Sequence, residues 1–93
     1  MIPMSPQDRE QCRLSLLRFL CMVPGRALGE AVLRQMLGAE QGRLPQQDEV
    51  RAELTYLEDK GLVEQPHKLI SPEVRMYRAT AAGRDQFAQI TGS

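Results

Sequence analysis

The end of the third predicted helix is the feature of this sequence that most constrains its fold. Pro45 opens that helix, and its inner face follows the i, i+4, i+7 spacing with Val50, Leu54 and Leu57. Gly61 stands where a helix C-terminus favours the left-handed conformation, and Leu62 falls where a Schellman motif brings it against Leu57. Residues 62–64 are then typical of a short strand. The pattern therefore predicts a helix that leads directly into a strand.

A long first helix is predicted from its capping residues. Ser5 takes the N-cap position, Pro6 the first helical position and Asp8 the capping-box position. The helix is expected to continue to about Val23, because the Pro24-Gly25 pair that follows ends a helix.

This first helix is unusually apolar. A narrow, mostly polar stripe consists of Gln11, Ser15, Arg18 and Met22. The apolar residues cover more than half of the circumference and include Leu14, Leu16, Leu17, Phe19, Leu20 and Cys21. A surface helix buries less than this, and a chain of 93 residues has little core to spare. We therefore expect a central helix and a homodimer.

The run Leu28-Gly29-Glu30 marks the start of a second helix, with the glycine as its cap and the glutamate favoured by the helix dipole. The leucine of this run is placed to pack on Leu33 as a hydrophobic staple. The inner face of the helix comprises Val32, Leu33, Met36 and Leu37. Gly38 is expected to end the helix, with a loop over residues 39–43.

A second strand is predicted over residues 74–79, which makes a hairpin with residues 65–73 at its tip. Thr80 follows as the cap of a short last helix. One face of that helix consists of Gly83, Phe87 and Ile90. Since no repeat or low-complexity segment divides the chain, we expect a single domain over residues 1–93, with a short arm over residues 1–5. The fold class is mainly α with a small β-hairpin (α+β).

Charge and hydropathy exclude two kinds of protein. The chain carries 12 Lys and Arg against 12 Asp and Glu, so overall charge cannot hold it on nucleic acid or on an anionic membrane. Such binding needs local patches. The longest purely apolar run, Phe19 to Val23, is far shorter than the about 20 residues that span a bilayer. No secretory leader pattern precedes it, so we expect a cytoplasmic protein without a membrane partner.

The cysteine and histidine inventory supports little chemistry. Cys12 and Cys21 lie on opposite sides of one predicted helix and cannot form a disulfide with each other. His67 is the only histidine, so neither a metal site nor a nucleophile–histidine pair can be assembled. The sequence contains no glycine-rich phosphate loop. We expect two buried reduced thiols, no metal, no cofactor and no enzymatic activity.

The order of three helices, a hairpin and a closing helix matches the winged helix-turn-helix architecture, with a two- or three-stranded wing. Two stretches resemble the MarR-like and PadR-like bacterial winged helices: Leu54-Thr-Tyr-Leu57-Glu58-Asp-Lys-Gly61-Leu62-Val63 and Tyr77-Arg78-Ala79-Thr80-Ala-Ala-Gly83-Arg84. The chain is more similar still to the small winged-helix proteins encoded in Mu-like phages and prophages. The matching positions are Pro24-Gly25, Leu28, Val32-Leu33, Val50-Arg51, Leu54, Leu57-Glu58 and Gly61-Leu62-Val63. Pro45-Gln46 departs from the pattern, which leaves the start of the third helix open by a residue or two.

This resemblance implies a transcription regulator whose third helix enters the major groove of double-stranded DNA while the wing contacts the backbone or minor groove. Gln46 and Gln47 are candidates to contact adenine edges. Arg51 is a candidate for a guanine or a phosphate, and Thr55 for a phosphate or a thymine methyl. The candidate phosphate contacts in the wing are Lys68, Arg75, Arg78 and protonated His67. A phage origin implies the cytoplasm of a bacterial host.

The charge of the third helix weighs against tight DNA binding. From Gln46 to Lys60, two cations stand against five carboxylates, a net charge of −3 that repels phosphates. The five are Asp48, Glu49, Glu53, Glu58 and Asp59. An alternative function is therefore an adaptor that binds a protein partner through exposed Tyr56, Leu69 and Ile70. For any one of these residues an ordinary solvated surface is the competing interpretation.

Overall fold

A computed structural model describes residues 5–66 and 74–92 of the chain. The elements in chain order are α1 (Pro6–Cys21), β1 (Leu28–Gly29), α2 (Glu30–Gln41), α3 (Gln47–Asp59), β2 (Val63–Glu64), β3 (Met76–Ala79) and α4 (Ala81–Ile90). These helices and the three-stranded antiparallel sheet form the winged-helix fold that the order of elements predicts. Most of the predicted arm (residues 1–5) and wing tip (residues 65–73) lies outside the described residues.

β3 is the central strand of the sheet, with β1 and β2 on either side. Leu28 pairs with Tyr77 and Val63 pairs with Ala79, both in antiparallel register. Tyr77 and Ala79 are buried, as alternation along a strand with one inward face requires. β1 differs from the expectation, in which Leu28-Gly29 is only the entry to a helix. A strand of two residues is too short to leave an alternating pattern in the sequence.

α1 lies at the centre of the fold and contacts α2, α3, α4 and β3. The expected capping box is present, since the Asp8 N–H donates to Ser5 Oγ (3.1 Å) and the Ser5 N–H donates to the Asp8 carboxylate (3.4 Å). The apolar residues of α1 that are buried within this one chain are Cys12, Leu16, Leu17, Phe19 and Leu20. Neighbouring elements of the same chain therefore cover most of the apolar surplus from which a homodimer is predicted, while Leu14 and Cys21 stay half-buried.

The polar stripe of α1 is partly buried, which its composition does not predict. Ser15 is fully buried, and its Oγ donates to Glu40 Oε1 (2.5 Å). Arg18 forms an ion pair with the same carboxylate. Because a buried hydroxyl needs a hydrogen-bond partner, this part of the stripe packs against α2 through polar contacts instead of facing water.

α2 extends beyond Gly38, its predicted end. The helix continues to Gln41, and Gly42 closes it in the left-handed conformation (φ +72°), where its N–H donates to the Gly38 carbonyl (2.9 Å). A glycine is needed at position 38 because Leu44, in the loop after α2, packs against the helix there. A Cβ on Gly38 would lie 3.0 Å from Leu44 Cδ1. This glycine therefore marks a close approach between a helix and a loop, not a helix end.

α3 begins two positions after Pro45, the residue that the sequence predicts to open it. Gln46 is the N-cap and Gln47 the first helical residue. The Gln46 N–H donates to the Glu49 carboxylate (2.9 Å), so a side chain of the first turn satisfies the cap backbone. Pro45 is buried just before the helix, and the observed start falls within the range that the departure at Pro45-Gln46 left open.

The inner face and the C-terminus of α3 agree with the sequence. The predicted inner residues Val50, Leu54 and Leu57 are all buried. Gly61 has φ +74°, and the Leu62 N–H donates to the Leu57 carbonyl (2.9 Å). Both are features of the predicted Schellman motif, which is confirmed.

The start of α4 is joined to the turn that ends α3. Thr80 Oγ1 accepts the Gly83 N–H (3.0 Å) as the predicted cap and donates to the Gly61 carbonyl (2.6 Å). The Thr80 N–H donates to the Leu62 carbonyl (3.0 Å). The predicted inner face is buried only near this junction. Along it Gly83 is buried, Phe87 is half-buried and Ile90 is 52% exposed.

Both cysteines are free, as expected. Burial, helped by the charges of Glu53 and Glu49, raises the pKa of the Cys12 thiol to about 12. Cys21 is only half-buried, so the expectation of two buried thiols is correct for Cys12 alone. Burial raises the pKa of Cys21 as well, and both thiols are therefore protonated and unreactive at neutral pH.

Candidate nucleic-acid interface

The outward face of α3 carries the predicted DNA contacts. Gln46, Gln47 and Thr55 are exposed, and Arg51 is half-buried. A shallow depression at the start of the helix is lined by Gln46, Gln47, Asp48, Arg51 and Ala52. Thr55 follows Arg51 by about one turn of the helix. The structure therefore brings Gln46, Gln47 and Arg51 together and places Thr55 beside them.

A buried carboxylate, Glu30, holds two of these residues. Its Oε2 accepts from Arg51 Nε (2.9 Å), and its Oε1 accepts from Arg51 Nη2 (2.9 Å) and from Gln47 Nε2 (3.1 Å). We call Glu30, Gln47 and Arg51 the Glu30 cluster. The acceptor belongs to α2 and the donors to α3, so the cluster joins the two helices of the helix-turn-helix. A bidentate pair of this kind fixes the plane of the guanidinium as well as its position.

The groups around Glu30 keep its carboxyl ionised. Burial acts to raise the pKa of Glu30, but the hydrogen bonds from Arg51 and Gln47, with the charges of Arg51 and Arg75, outweigh burial and hold the pKa below its ordinary value. The hydrogen bond to Glu30 in turn raises the pKa of Arg51. The Glu30 cluster is therefore an ion pair at neutral pH.

The lowered pKa of Glu30 predicts a pH-dependent contribution to stability. A carboxyl whose pKa is lower in the folded state stabilises the fold above its unfolded pKa and loses that contribution as the pH falls through the folded pKa. The difference in free energy of unfolding between the parent and Glu30→Gln should be constant above about pH 5.5 and should shrink below the ordinary pKa of 4.5. Urea denaturation across this range measures it. A difference independent of pH would show that Glu30 is not ion-paired.

Two of the four predicted wing contacts lie within the described residues. Arg78 donates to Glu64 Oε2 from Nε (2.9 Å) and Nη2 (2.5 Å), so its charge is already paired. The backbone carbonyl of Arg75 accepts the Glu30 N–H (2.9 Å), and the Arg75 charge acts on the Glu30 carboxyl. His67 and Lys68 lie outside the described residues. The structure thus brings Arg75 to the Glu30 cluster and ties Arg78 to strand β2.

Arginines from other elements reduce the acidity of α3. Glu53 is buried and accepts from Arg13 Nε (2.6 Å) and Arg9 Nε (3.0 Å), both on α1. Arg43 pairs with Glu49 (3.7 Å). These partners offset part of the net charge of −3, because that count covers residues 46–60 alone. The carboxylates that stay exposed on the outward face are Asp48 and Asp59.

Tyr56 borders a groove between α1, α3 and α4. Its side chain is 40% exposed, and the guanidinium carbon of Arg13 lies 3.8 Å from its ring centroid. The groove measures about 520 Å³, and its apolar lining comprises Leu14, Leu17, Tyr56, Leu57, Leu62 and Ile90. The expected exposure of Tyr56 is confirmed. Leu69 and Ile70, the other residues expected on a protein-binding surface, lie outside the described residues.

The sequence analysis does not predict that Glu30 and Glu53 bind arginines. Glu53 comes three residues after Val50 and four before Leu57, so its helical position alone places it on the inner face of α3. That spacing is a signal that could have identified it. Glu30 offers no comparable signal, because its partner Arg51 is 21 residues away along the chain and an acidic residue at a helix start is common for other reasons.

The described residues also bear on metal binding and on membrane insertion. Over residues 5–66 and 74–92, no group of three or more His, Cys, Asp and Glu side chains is placed to hold a metal ion. None of the helices in these ranges combines the length and the apolar character needed to cross a membrane.

The helix-turn-helix of α2 and α3, together with a small antiparallel sheet, defines a winged-helix fold. Among solved structures, a structure of H. salinarum RosR that was grown from NaBr has the same fold, with a TM-score of 0.76. The two sequences are 20% identical, and the match covers 87% of this chain and 69% of the RosR chain. The complex structure of hsRosR-S1 gives a TM-score of 0.75 and 20% identity over 86% of this chain and 67% of that one. No protein-family model matches the chain, and no curated protein matches it.

Proposed function

We propose that this chain is a winged-helix transcription regulator that binds double-stranded DNA, with α3 in the major groove. The observation that carries the proposal is the exposed start of α3, where Gln46, Gln47 and Arg51 share one depression. Glutamine suits an adenine edge and arginine a guanine edge, and the corresponding helix of winged helix-turn-helix proteins enters the major groove. Thr55 contacts a phosphate or a thymine methyl in this arrangement.

The wing supplies the contacts to the DNA backbone in this proposal. Its cations are Arg75, Arg78, Lys68 and protonated His67. Arg78 exchanges Glu64 for a phosphate, which costs little because the side chains of that pair are 37% and 45% exposed. Since phosphate contacts carry no base information, the wing contributes affinity and α3 contributes sequence preference.

A phage or prophage origin and a location in the bacterial cytoplasm are the finer parts of the proposal. They are supported by the resemblance of Pro24-Gly25, Val50-Arg51 and Gly61-Leu62-Val63 to the winged-helix proteins of Mu-like phages. A regulator of this kind acts by binding alone, so the proposal includes no enzymatic activity and no cofactor.

Salt-dependent binding to duplex DNA tests the proposal. Asp48 and Asp59 are exposed on the outward face of α3, where their charges repel a bound phosphate backbone. The variant with Asp48→Asn and Asp59→Asn should bind a random duplex about threefold or more tightly than the parent at about 50 mM salt, and the gain should shrink at about 200 mM. Fluorescence anisotropy with a labelled duplex measures the affinities and the salt slope.

A matched control removes the same charge from other elements. Glu10 on α1 and Asp85 on α4 are both exposed. Glu10→Gln with Asp85→Asn should change the affinity by less than about twofold, because these charges lie off the proposed reading helix. If neither the parent nor the α3 variant binds duplex at the lower salt concentration, DNA is not the ligand.

The second candidate function is an adaptor that binds a protein partner. The groove beside Tyr56 favours it, because an exposed tyrosine next to Leu14 and Ile90 is the kind of surface that protein interfaces use. In an adaptor, neutralising Asp48 and Asp59 would leave DNA binding absent. Isolation of a protein complex that Tyr56→Ala weakens, together with no duplex binding, would establish the adaptor function.

A homodimer stays a prediction, but the surface that it would use changes. Since the inward residues of α1 are buried within one chain, we expect the dimer to use the groove with Leu14 and Ile90, an apolar surface that α1 shares with α4. Sedimentation equilibrium at high micromolar concentration tests it. A mass of 10.5 kDa, that of one chain, would exclude the dimer.

A further inference from the structure

We propose that Glu30 is a positioning residue for DNA reading: it holds Arg51 in the orientation in which the arginine contacts a guanine. The inference rests on the proposed DNA-binding function. Arg51 donates two hydrogen bonds to the Glu30 carboxylate, each 2.9 Å long. The Glu30 side chain is 7% exposed and that of Arg51 is 40% exposed. The acceptor is thus inside the protein, while the donor reaches the surface.

The hydrogen-bond pattern leaves one edge of the Arg51 guanidinium open. Of the five N–H donors of an arginine, Glu30 takes the Nε–H and one Nη2–H. The two Nη1–H groups and the second Nη2–H have no acceptor among the described residues. A bidentate contact to guanine O6 and N7 needs two parallel donors of this kind. Arg51 can therefore bind Glu30 and a base at the same time.

Glu30 is itself fixed by three elements. It is the first residue of α2, and its N–H donates to the Arg75 carbonyl just before β3 (2.9 Å). Gln47, at the start of α3, donates to its Oε1 (3.1 Å). Arg51 therefore pairs with a carboxylate that cannot move freely, and it loses rotamer freedom before DNA arrives. Ordering a side chain in advance removes that cost from the binding step.

If Glu30 instead masked Arg51 from DNA, removing its carboxylate would strengthen binding, whereas removing a positioning residue weakens binding to a preferred sequence. If the carboxylate competed with DNA for Arg51, removing it would strengthen binding, as removing any negative charge near a phosphate backbone does. Asp48 provides the comparison, because it lines the same depression and is exposed. Positioning and charge repulsion thus predict changes of opposite sign for Glu30→Gln at a preferred sequence.

The test compares a duplex that the parent selects from a random pool with a random duplex at about 100 mM salt. In Glu30→Gln one of the two accepting oxygens becomes an amide nitrogen that faces a donor of Arg51, so the bidentate pair is lost. We expect the preference for the selected duplex to fall about tenfold, while affinity for the random duplex changes less than about twofold. Asp48→Asn should strengthen both complexes by similar factors and keep the preference.

A double-mutant cycle separates positioning from a general structural role. Arg51→Ala removes the reading group, so adding Glu30→Gln to it should change the preference by less than about twofold. Thermal melts of each variant follow folding separately, because a merely less stable protein keeps its ratio of affinities. If Glu30→Gln lowers the preference about tenfold in the Arg51→Ala background too, Glu30 does not act through Arg51.

The outcomes distinguish this proposal from the DNA-binding proposal. If the parent selects a preferred duplex and Glu30→Gln keeps that preference, the positioning role is wrong and the DNA-binding function stands. If Glu30→Gln binds the selected duplex more tightly, Glu30 masks Arg51 and the proposal is overturned. If the parent binds no duplex, both proposals fall together.

Discussion

Replacing Gly83 with alanine is expected to lower the free energy of unfolding by about 3 kcal/mol or more. Gly83 lies in the first turn of α4, where a Cβ would come 2.0 Å from the Leu62 carbonyl oxygen and 2.9 Å from its carbonyl carbon. Both atoms belong to the backbone, so no side-chain rotation can relieve the clash. Either α4 or the turn between α3 and β2 has to move.

That movement breaks the junction between the two elements. The Thr80 N–H donates to the Leu62 carbonyl (3.0 Å), and Thr80 Oγ1 donates to the Gly61 carbonyl (2.6 Å). The Gly83 N–H donates to the same Oγ1 (3.0 Å). A domain of 93 residues buries about 60–65% of the surface of its unfolded chain, a smaller share than a larger domain buries, and is marginally stable, so the loss of one such junction affects the whole unfolding transition.

Gly61→Ala is the matched control on the other side of the junction. Gly61 has φ +74°, but a Cβ there meets no atom within 4 Å, so only the strain of the left-handed conformation counts. That strain costs about 1 kcal/mol, or a Tm lower by about 4–8 °C. Melts by circular dichroism should show a loss about three times larger for Gly83→Ala. Equal melting temperatures for the two variants would mean that α4 does not approach Leu62 so closely.

The helices of this fold could be predicted because most of their ends depend on residues within one turn. The capping box of Ser5 and Asp8, the left-handed Gly61 and the Thr80 cap each act on backbone groups a few residues away. Residue identity and spacing are then sufficient. The exposed face of α3 followed in the same way, because once Val50 and Leu54 point inward, the opposite side is determined.

Features that depend on distant residues could not be predicted. β1 forms because the edge of β3 is open to it, and Gly38 stays helical because Leu44 passes beside it. Ser15 is buried because Glu40 accepts its hydroxyl. In each case the local pattern allows two outcomes, and a tertiary contact decides between them.

The candidate site also contains residues that local spacing predicts and residues that only tertiary packing brings in. Its outward residues, such as Gln47, follow from helical spacing, whereas Glu30 is brought to Arg51 only by the packing of α2 on α3. The net charge of α3 has the same limit as a predictor. A count along the sequence cannot include Arg13, which reaches Glu53 from another helix.

Removing the charge of Arg13 has the second largest expected effect. The Glu53 side chain is 2% exposed and accepts from Arg13 Nε (2.6 Å) and Arg9 Nε (3.0 Å). Removing one partner of a buried ion pair typically costs about 3–5 kcal/mol, because the other charge stays in a medium of low dielectric. Since Arg9 remains, we expect Arg13→Met to lower the free energy of unfolding by about 2–4 kcal/mol. Methionine keeps an unbranched apolar stem beside Tyr56, so this variant tests the charge.

Arg9→Met is the matched control, because its side chain donates to the same carboxylate but is 50% exposed, against 23% for Arg13. It should cost less than about 1 kcal/mol by urea denaturation at neutral pH. Adding Glu53→Met to Arg13→Met removes both charges and should recover most of the loss, since apolar residues replace a complete buried pair with little penalty. If the double variant is instead less stable than Arg13→Met alone, the Glu53 carboxylate stabilises α3 without Arg13. The charge of Glu53 then belongs again among the negative charges of α3 that oppose DNA binding.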